Sequence, residues 1–190
     1  MIDEPHVTPT DETAEPAELA ATRRWLERAV IGLNLCPFAK AVYVKRQVRF
    51  ALSDAELEDD LLEELAEELL RLRDTPAEDI DTTLLVHPRV LTDFLDYNDF
   101  LDRVDALVEA LDLDGVLQVA SFHPEYRFAD TEADDPGNCT NRSPYPTLHL
   151  IREASLDRAV EAYPDPDAIV QRNLAAMESL GLLGYRDLLS

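Results

Sequence analysis

The order of apolar patterns along the chain restricts its fold more than any other feature. Predicted strands at residues 46–52, 81–88 and 115–124 are separated by two amphipathic helical segments. Helices between successive strands favour parallel strands joined by right-handed crossovers. A fourth predicted strand, residues 147–153, follows a loop without a helix and is expected to run antiparallel. The pattern predicts an α/β fold with a mixed sheet of about four strands, three of them parallel, covered by about five helices.

Local signals place the ends of the predicted helices. The first helix is expected to run from about Pro16 to Cys36, because a proline at position 37 disfavours the helical conformation in the residue before it. Ser53 and Glu56 form a capping box that predicts the start of the second helix. Further helix ends are predicted at Gly115, Ser155 and Gly181.

Composition restricts the class of protein. The chain has 190 residues, with 40 acidic residues against 17 basic ones and a net charge of −23, which argues against binding to nucleic acid. Residues 1–15 are polar and acidic and are predicted to form a disordered tail, with residues 16–190 as one α/β domain. The chain has no secretory signal pattern, no apolar run long enough for a membrane span and no paired cysteine motif. We therefore expect a cytoplasmic protein.

Two predicted strands end in the same dipeptide, His87–Pro88 and His123–Pro124. If the strands are parallel, both histidines emerge at the carboxyl edge of the sheet, where open α/β sheets place ligand sites. The following proline keeps each histidine extended, so that both imidazoles can project from that edge. The alternative is structural, because His-Pro also ends a strand and a histidine can bond a nearby carbonyl. For the pair together, the sequence favours a functional site.

His149 lies inside the fourth predicted strand, on the opposite side from Leu148 and Leu150. A hydrogen-bonded histidine on the face of the sheet is the simplest interpretation. If His149 instead faces the same cleft as His87 and His123, three imidazoles suit a divalent transition metal with an open coordination position. The spacing of the three histidines matches no metal-binding motif. The prediction of a metal therefore depends only on the three imidazoles sharing one cleft.

The predicted loop at residues 124–146 is longer than the ~12–15 residues above which structureless connections tend to be functional. Arg142 offers a rigid set of donors suited to a carboxylate or phosphate, and Glu125 beside His123 is a possible acid–base group. The loop also supplies neutral donors that can position a small anion, and these are Thr140, Asn141 and Ser143. The same residues fit a stiff structural corner, in which their side chains bond nearby backbone and Arg142 bridges loop carbonyls.

The remaining motifs exclude some chemistry. No glycine-rich phosphate loop is present, so no nucleotide cofactor is expected. Cys36 lies at the predicted end of a helix, where the dipole disfavours a thiolate, and packing is its expected role. Cys139 lies in a polar loop beside Arg142, so of the two cysteines it has the electrostatic setting that better favours a reactive thiol.

Four segments carry a resemblance to a known family: "RWLERAVIGLNLCPFAKAVYVK", "LLVHPRVLTDFLDYNDFLD", "GVLQVASFHPEYRFAD" and "NCTNRSPYPTLHLIREASLDRAV". In this order they resemble the bacterial and plant family catalogued as domain of unknown function 1415, over residues 20–180. The family pattern usually has an aromatic residue at the position of Cys139, which implies that Cys139 is not a shared nucleophile. The resemblance implies no substrate, but it does imply that the four segments contribute to a shared site.

Two functions follow from these residues. The first is an enzyme that acts on a small anionic metabolite at the carboxyl edge of the sheet, with or without a metal. In it, His123 and His87 act as acid–base groups or metal ligands, Arg142 binds the anion, and the other candidates orient it: Glu125, Asn141, Ser143 and Thr140. The second is a non-catalytic protein that binds a small ligand or a protein partner, in which the histidines are structural.

Overall fold

The computed structural model describes residues 15–163, 165 and 168–190. The first helix, α1 (Ala17–Trp25), continues as a π-helical turn, Leu26–Ile31. A 3-10 helix, Pro136–Asn141, lies within the predicted loop. The strands are β1 (Val48–Leu52), β2 (Thr82–Val86), β3 (Leu117–Phe122) and β4 (Thr147–Arg152). The α-helices are α1 (Ala17–Trp25), α2 (Ala39–Val44), α3 (Glu58–Asp74), α4 (Phe94–Ala110), α5 (Glu153–Glu161) and α6 (Ala168–Leu189).

The four strands form one mixed sheet in the order β1-β2-β4-β3. β1 and β2 are parallel, whereas β4 pairs antiparallel with both β2 and β3. The prediction of an α/β fold with four strands is confirmed, but the prediction of three parallel strands is wrong, since only β1 and β2 pair in parallel. Burial explains the order, because β2 and β4 hold the most buried residues and take the centre, which leaves β1 and β3 as edges.

Helices α3 and α4 cover the first face of the sheet. The leucine stripe of α3 packs on this face, and alternate residues of β4, Leu148 and Leu150, contact the stripe from the sheet. The fully buried leucines of α3 are Leu61, Leu65, Leu69 and Leu72. Arg49 on β1 adds an ion pair with Glu68 of α3 on this face, with Nε 2.6 Å from Oε2.

Helices α1 and α6 cover the second face of the sheet. Trp25, at the end of α1, packs edge-on against Phe122 of β3 with ring centroids 5.1 Å apart. The Trp25 indole N–H donates to the Tyr185 hydroxyl of α6 at 3.2 Å, and that hydroxyl donates to the Arg142 carbonyl. These bonds connect both helices to the end of the 124–146 segment.

Several predicted helix ends need correction. α3 begins at Glu58, and the Ser53 hydroxyl accepts from Ala55 N at 3.1 Å, so the predicted capping box does not form. α5 begins at Glu153, before Ser155, whose hydroxyl instead donates to Asp81 at 2.6 Å. Gly181 does interrupt the last helix, with φ 68°, but the chain then resumes a helical path to Leu189. A local turn at Ser53, a long-range bond of Ser155 and the positive φ of Gly181 account for these three differences.

The predicted disordered tail, residues 1–15, lies outside the described residues except for Glu15, which forms an ion pair with Arg23 at 2.8 Å. In the part of the chain that the structure describes, no helix combines the length and the apolar character needed to cross a membrane.

Candidate functional site

His87 and His123 follow the carboxyl ends of β2 and β3, as the twin His-Pro dipeptides indicate. Both side chains point to the first face of the sheet, where Tyr97 of α4 contacts both of them. The ring centroids of Tyr97 and His87 are 5.7 Å apart, and those of Tyr97 and His123 are 5.1 Å apart. The two histidines therefore share one site at the sheet edge, which we call the histidine–tyrosine stack (His87, Tyr97 and His123).

The chain at residues 141–146 lies along this same edge. The backbone N–H of His123 donates to the Asn141 carbonyl at 3.2 Å, and that of His87 donates to the Pro146 carbonyl at 3.0 Å. The Tyr97 hydroxyl donates to the Thr147 carbonyl at 2.9 Å and accepts from Phe122 N at 3.2 Å. The loop thus folds back over the edge at which the histidines emerge.

His87 has no solvent-accessible surface. Its Nδ1 lies 3.1 Å from the Val90 carbonyl and donates to it, whereas its buried Nε2 has no hydrogen-bond partner among the described residues. Burial lowers the pKa of His87 to about 4, and the nearby His123 acts in the same direction. The imidazole is therefore neutral at physiological pH.

His123 is equally inaccessible to solvent. Its Nε2 lies 3.2 Å from the Leu91 carbonyl, and its Nδ1 accepts from Glu125 N at 3.1 Å. Burial lowers the pKa of His123, against the opposing effects of the Leu91 carbonyl and the Glu125 carboxylate. Both ring nitrogens are occupied by backbone groups, which leaves neither free for proton transfer to a ligand.

His149 does not join this site. It lies on the second face of the sheet, between Leu84 and Ala120 in register, and its Nε2 is 2.7 Å from the Thr82 hydroxyl. The predicted three-histidine metal site is therefore wrong, because alternate residues of a strand face opposite sides of the sheet. Within residues 15–163, 165 and 168–190, no group of three or more His, Cys, Asp or Glu side chains could hold a metal ion.

The loop that follows His123 is organised by two of its own side chains. Asn138 has no accessible surface; its Oδ1 accepts from Phe128 N at 3.0 Å and its Nδ2 donates to the Glu132 carbonyl at 2.8 Å. Arg142 donates from Nε to the Tyr126 carbonyl at 3.1 Å and from Nη2 to the Ala133 carbonyl at 2.8 Å. Arg142 thus bridges loop carbonyls, as the corner interpretation predicted.

The three neutral candidates of the loop also bond backbone groups. The Thr140 hydroxyl donates to the Gly137 carbonyl at 2.9 Å, and the Ser143 hydroxyl donates to the Tyr145 carbonyl at 2.6 Å. Asn141 Nδ2 donates to the Ser121 carbonyl of β3 at 3.2 Å. The Asn141 bond holds the corner against the sheet, and the other two bonds lie within the corner. Ser143, which is also buried, offers no group to a ligand.

Beside the stack lies an open pocket of about 470 Å³, which we call the charged pocket. Arg142 and Glu125, two of the candidates from the sequence, line it together with Arg127. Asp93 and Phe94 line it from the start of α4, where Asp93 caps the helix by accepting from Leu95 N at 2.8 Å. The remaining lining residues are Leu95, Pro124 and Ala133.

Asp93, Phe94 and Tyr97 were missed by the reasoning from sequence. Asp93 had a signal, since it precedes an apolar helical pattern as a helix cap does. No sequence signal marked Phe94 and Tyr97 as site residues, because their spacing is also that of ordinary core residues on the buried face of α4. Their proximity to His123, with Phe94 at 5.5 Å between centroids, exists only once α4 packs on the sheet.

The two cysteines are not reactive groups of this site. Burial raises the pKa of Cys36, which is half-buried near the end of the first helical segment. The Arg142 guanidinium lowers the pKa of Cys139, as its position in the sequence suggested, but burial outweighs this effect and raises the pKa of the thiol.

A family model described as "Protein of unknown function (DUF1415)" matches residues 17–187. The chain belongs to this family. The resemblance of the four segments is thereby confirmed. A search of the curated proteins found no match, and neither did a search of the solved structures. Three of the four segments of this DUF1415 member meet at the sheet edge through His87, His123 and Asn141.

Proposed function

We propose that this protein binds a small anionic molecule in the charged pocket at the carboxyl edge of the sheet. Arg127 and Arg142 are its anion-binding groups. The observation that carries the proposal is that two guanidinium groups line one pocket and neither forms an ion pair with a carboxylate of the described residues.

Arg142 is positioned for this role by the bonds that hold it. Backbone carbonyls at Tyr126 and Ala133 accept two of its hydrogen bonds and fix the plane of its guanidinium, yet they leave its positive charge without a counterion. A guanidinium that is already fixed loses little conformational entropy when it binds a carboxylate or a phosphate. Arg127 is exposed and adds a second, adjustable cation to the same pocket.

The net charge of the protein makes this local arrangement informative. At −23, the molecule repels anions in general, so an anion binds only where basic side chains outweigh that field. Asp93 and Glu125 line the same pocket and disfavour a ligand that is only negative. We therefore propose a ligand with an anionic group for the arginines and an ammonium or hydroxyl group for the two carboxylates.

We favour binding over catalysis by the histidines. General acid–base work requires a titratable group within hydrogen-bond reach of the ligand. His87 and His123 are buried, neutral and bonded to backbone groups, and neither lines the charged pocket. Their role in this proposal is to hold the ends of β2 and β3 in place beneath the pocket.

The test is calorimetric titration with inorganic phosphate and with O-phosphoethanolamine, which carries a phosphate and an ammonium group and no carboxylate. Arg127→Gln is expected to weaken the binding of both probes at least ten-fold, since a charge-assisted bond to an anion contributes ~1.5–3 kcal/mol. Arg24→Gln is the matched control, because Arg24 is an exposed arginine of α1 outside the pocket. Equal affinities in the Arg127→Gln and Arg24→Gln proteins would overturn the proposal.

The Glu125→Gln variant tests the anionic group and the ammonium group of the expected ligand separately. Loss of this carboxylate removes a repulsive charge for inorganic phosphate and an attractive one for the ammonium of O-phosphoethanolamine. Phosphate is therefore expected to bind more tightly and O-phosphoethanolamine more weakly than to the wild type. A change in the same direction for both probes would contradict a ligand that carries both groups.

A further inference from the structure

Four of the eight residues that line the charged pocket are apolar. The charged groups of the proposed ligand leave this part of the lining uncovered, although Leu95 is 64% exposed and presents a large apolar surface. Removal of such surface from water favours binding. The apolar residues of the lining are Phe94, Leu95, Pro124 and Ala133.

The ring of Phe94 is held in place by neighbouring rings of the protein. Its centroid lies 5.5 Å from that of His123 and 5.2 Å from that of Tyr126. The Tyr126 ring in turn packs edge-on against Phe128, with centroids 5.0 Å apart. A side chain that its neighbours already hold loses little conformational entropy when a ligand packs on it. Phe94 is therefore a preorganised apolar wall of the pocket.

The two carboxylates of the pocket lie next to this apolar surface. At the start of α4, Asp93 directly precedes Phe94 and Leu95. The Asp93 Oδ1 atom accepts from Leu95 N at 2.8 Å, which fixes the carboxylate beside these residues. In the loop, Glu125 directly follows Pro124. An ammonium group that is bound by the carboxylates therefore lies close to the apolar residues.

The apolar surface beside Arg142 is smaller. Arg142 donates from Nη2 to the carbonyl of Ala133 at 2.8 Å, and Ala133 is the smallest apolar residue of the lining. An apolar substituent beside the anionic group of a ligand would therefore contact little apolar surface, whereas one beside the ammonium group would contact Phe94 and Leu95. The apolar part of the ligand is expected next to its ammonium group.

We propose that the ligand is a small zwitterion in which one carbon carries the anionic group, the ammonium group and an apolar side chain, as in an apolar α-amino acid. The two arginines bind its anionic group, the two carboxylates bind its ammonium group, and its side chain packs on Phe94 and Leu95. The pocket volume of about 470 Å³ lies in the range of small-molecule sites. This inference rests on the proposed function, because the charged groups must hold the ligand before the apolar residues can select its side chain.

The experiment compares two probes, aminomethylphosphonate and 1-amino-3-methylbutylphosphonate, by calorimetric titration of the full chain. Both carry a phosphonate and an ammonium group on one carbon, but only the second adds an isobutyl side chain. We expect the isobutyl probe to bind about ten-fold more tightly, which corresponds to ~60 Å² of apolar surface removed from water. Leu95→Ala is expected to reduce this preference to about three-fold, since it removes part of that contact, and to leave the binding of aminomethylphosphonate unchanged.

Leu183→Ala is the matched control, because Leu183 is an exposed leucine of α6 that does not line the pocket. It should keep the full preference for the isobutyl probe. Equal affinities of the two probes for the wild type, or an equal preference in the Leu95→Ala and Leu183→Ala proteins, would overturn this inference. The proposed function would stand in that case if Arg127→Gln weakened the binding of aminomethylphosphonate. Failure of both probes to bind would overturn the proposed function together with this inference.

Discussion

The phenol ring of Tyr97 stacks on the imidazole of His87, with 5.7 Å between the ring centroids and 21° between the ring planes. Tyr97 also bonds the ends of β3 and β4 through its hydroxyl. The stack thus joins α4 to three strands at the sheet edge, beneath the charged pocket. Its stability depends on keeping the imidazoles neutral, which gives the first prediction.

Acid should destabilise the protein through His87. Its pKa is near 6.5 in the unfolded chain and about 4 in the folded protein, so the unfolded state binds the proton first as the pH falls. The stability contributed by the neutral imidazole is complete above pH 6.5 and is lost between 6.5 and 4. The loss is on the order of 3 kcal/mol for a shift of this size.

His87→Phe provides the measurement, since it preserves a ring against Tyr97 and removes the titration. The free energy of unfolding is measured in urea from pH 4 to 8 for both proteins. As the pH falls, the wild type should lose more stability than the variant. His149, whose pKa burial also lowers to about 4, is expected to add a loss of similar size over the same pH range, which remains in the His87→Phe variant. A pH-independent difference for His87→Phe would contradict the assigned shift.

Asn138→Ala should destabilise the loop beside the charged pocket. The substitution removes the acceptor for Phe128 N and the donor to the Glu132 carbonyl, and it leaves those backbone groups unpaired. We expect a loss of ~2–3 kcal/mol in the free energy of unfolding, together with faster proteolysis within residues 128–138. Asn98→Ala, on the exposed side of α4, is the control and should change neither quantity.

Tyr185→Phe should disconnect the two helices that cover the second face. The variant keeps the ring but leaves the Trp25 indole N–H and the Arg142 carbonyl without their partner. The expected cost is ~1–3 kcal/mol, measured by urea unfolding, because both groups are in or near the core. Tyr145→Phe serves as the control, and a similar cost for both variants would mean that the hydroxyl bonds of Tyr185 are unimportant.

Arg49→Met should leave the buried Glu68 carboxylate with one positive charge fewer beside it. Burial by itself raises the pKa of Glu68, but the Arg49 and Arg71 guanidiniums more than offset this and hold the pKa below its usual value. Loss of Arg49 is therefore expected to raise that pKa and to cost ~1–2 kcal/mol at pH 7, after allowance for solvent screening. Arg73→Met, whose ion pair with Asp74 is exposed, should have no measurable effect on unfolding in urea.

Much of the fold was predictable because local patterns and burial agree. The leucine stripe of α3 and the alternation within β4 each require one face to be apolar, and that requirement is visible in the sequence. The position of β4 between β2 and β3 was not predictable from chain order, since pairing depends on which strands bury both of their faces.

The same distinction between local patterns and tertiary packing applies to the candidate site. The sequence alone determined that His87 and His123 end two strands and that a polar loop with Arg142 follows them, because strand ends and turn residues are local properties. Only the tertiary structure decided that the imidazoles are buried on Tyr97, that His149 faces the other side, and that Thr140, Asn141 and Ser143 bond the backbone. The physical reason is that burial and hydrogen-bond partners depend on residues that are distant in sequence, and these determine whether a polar side chain is available to a ligand.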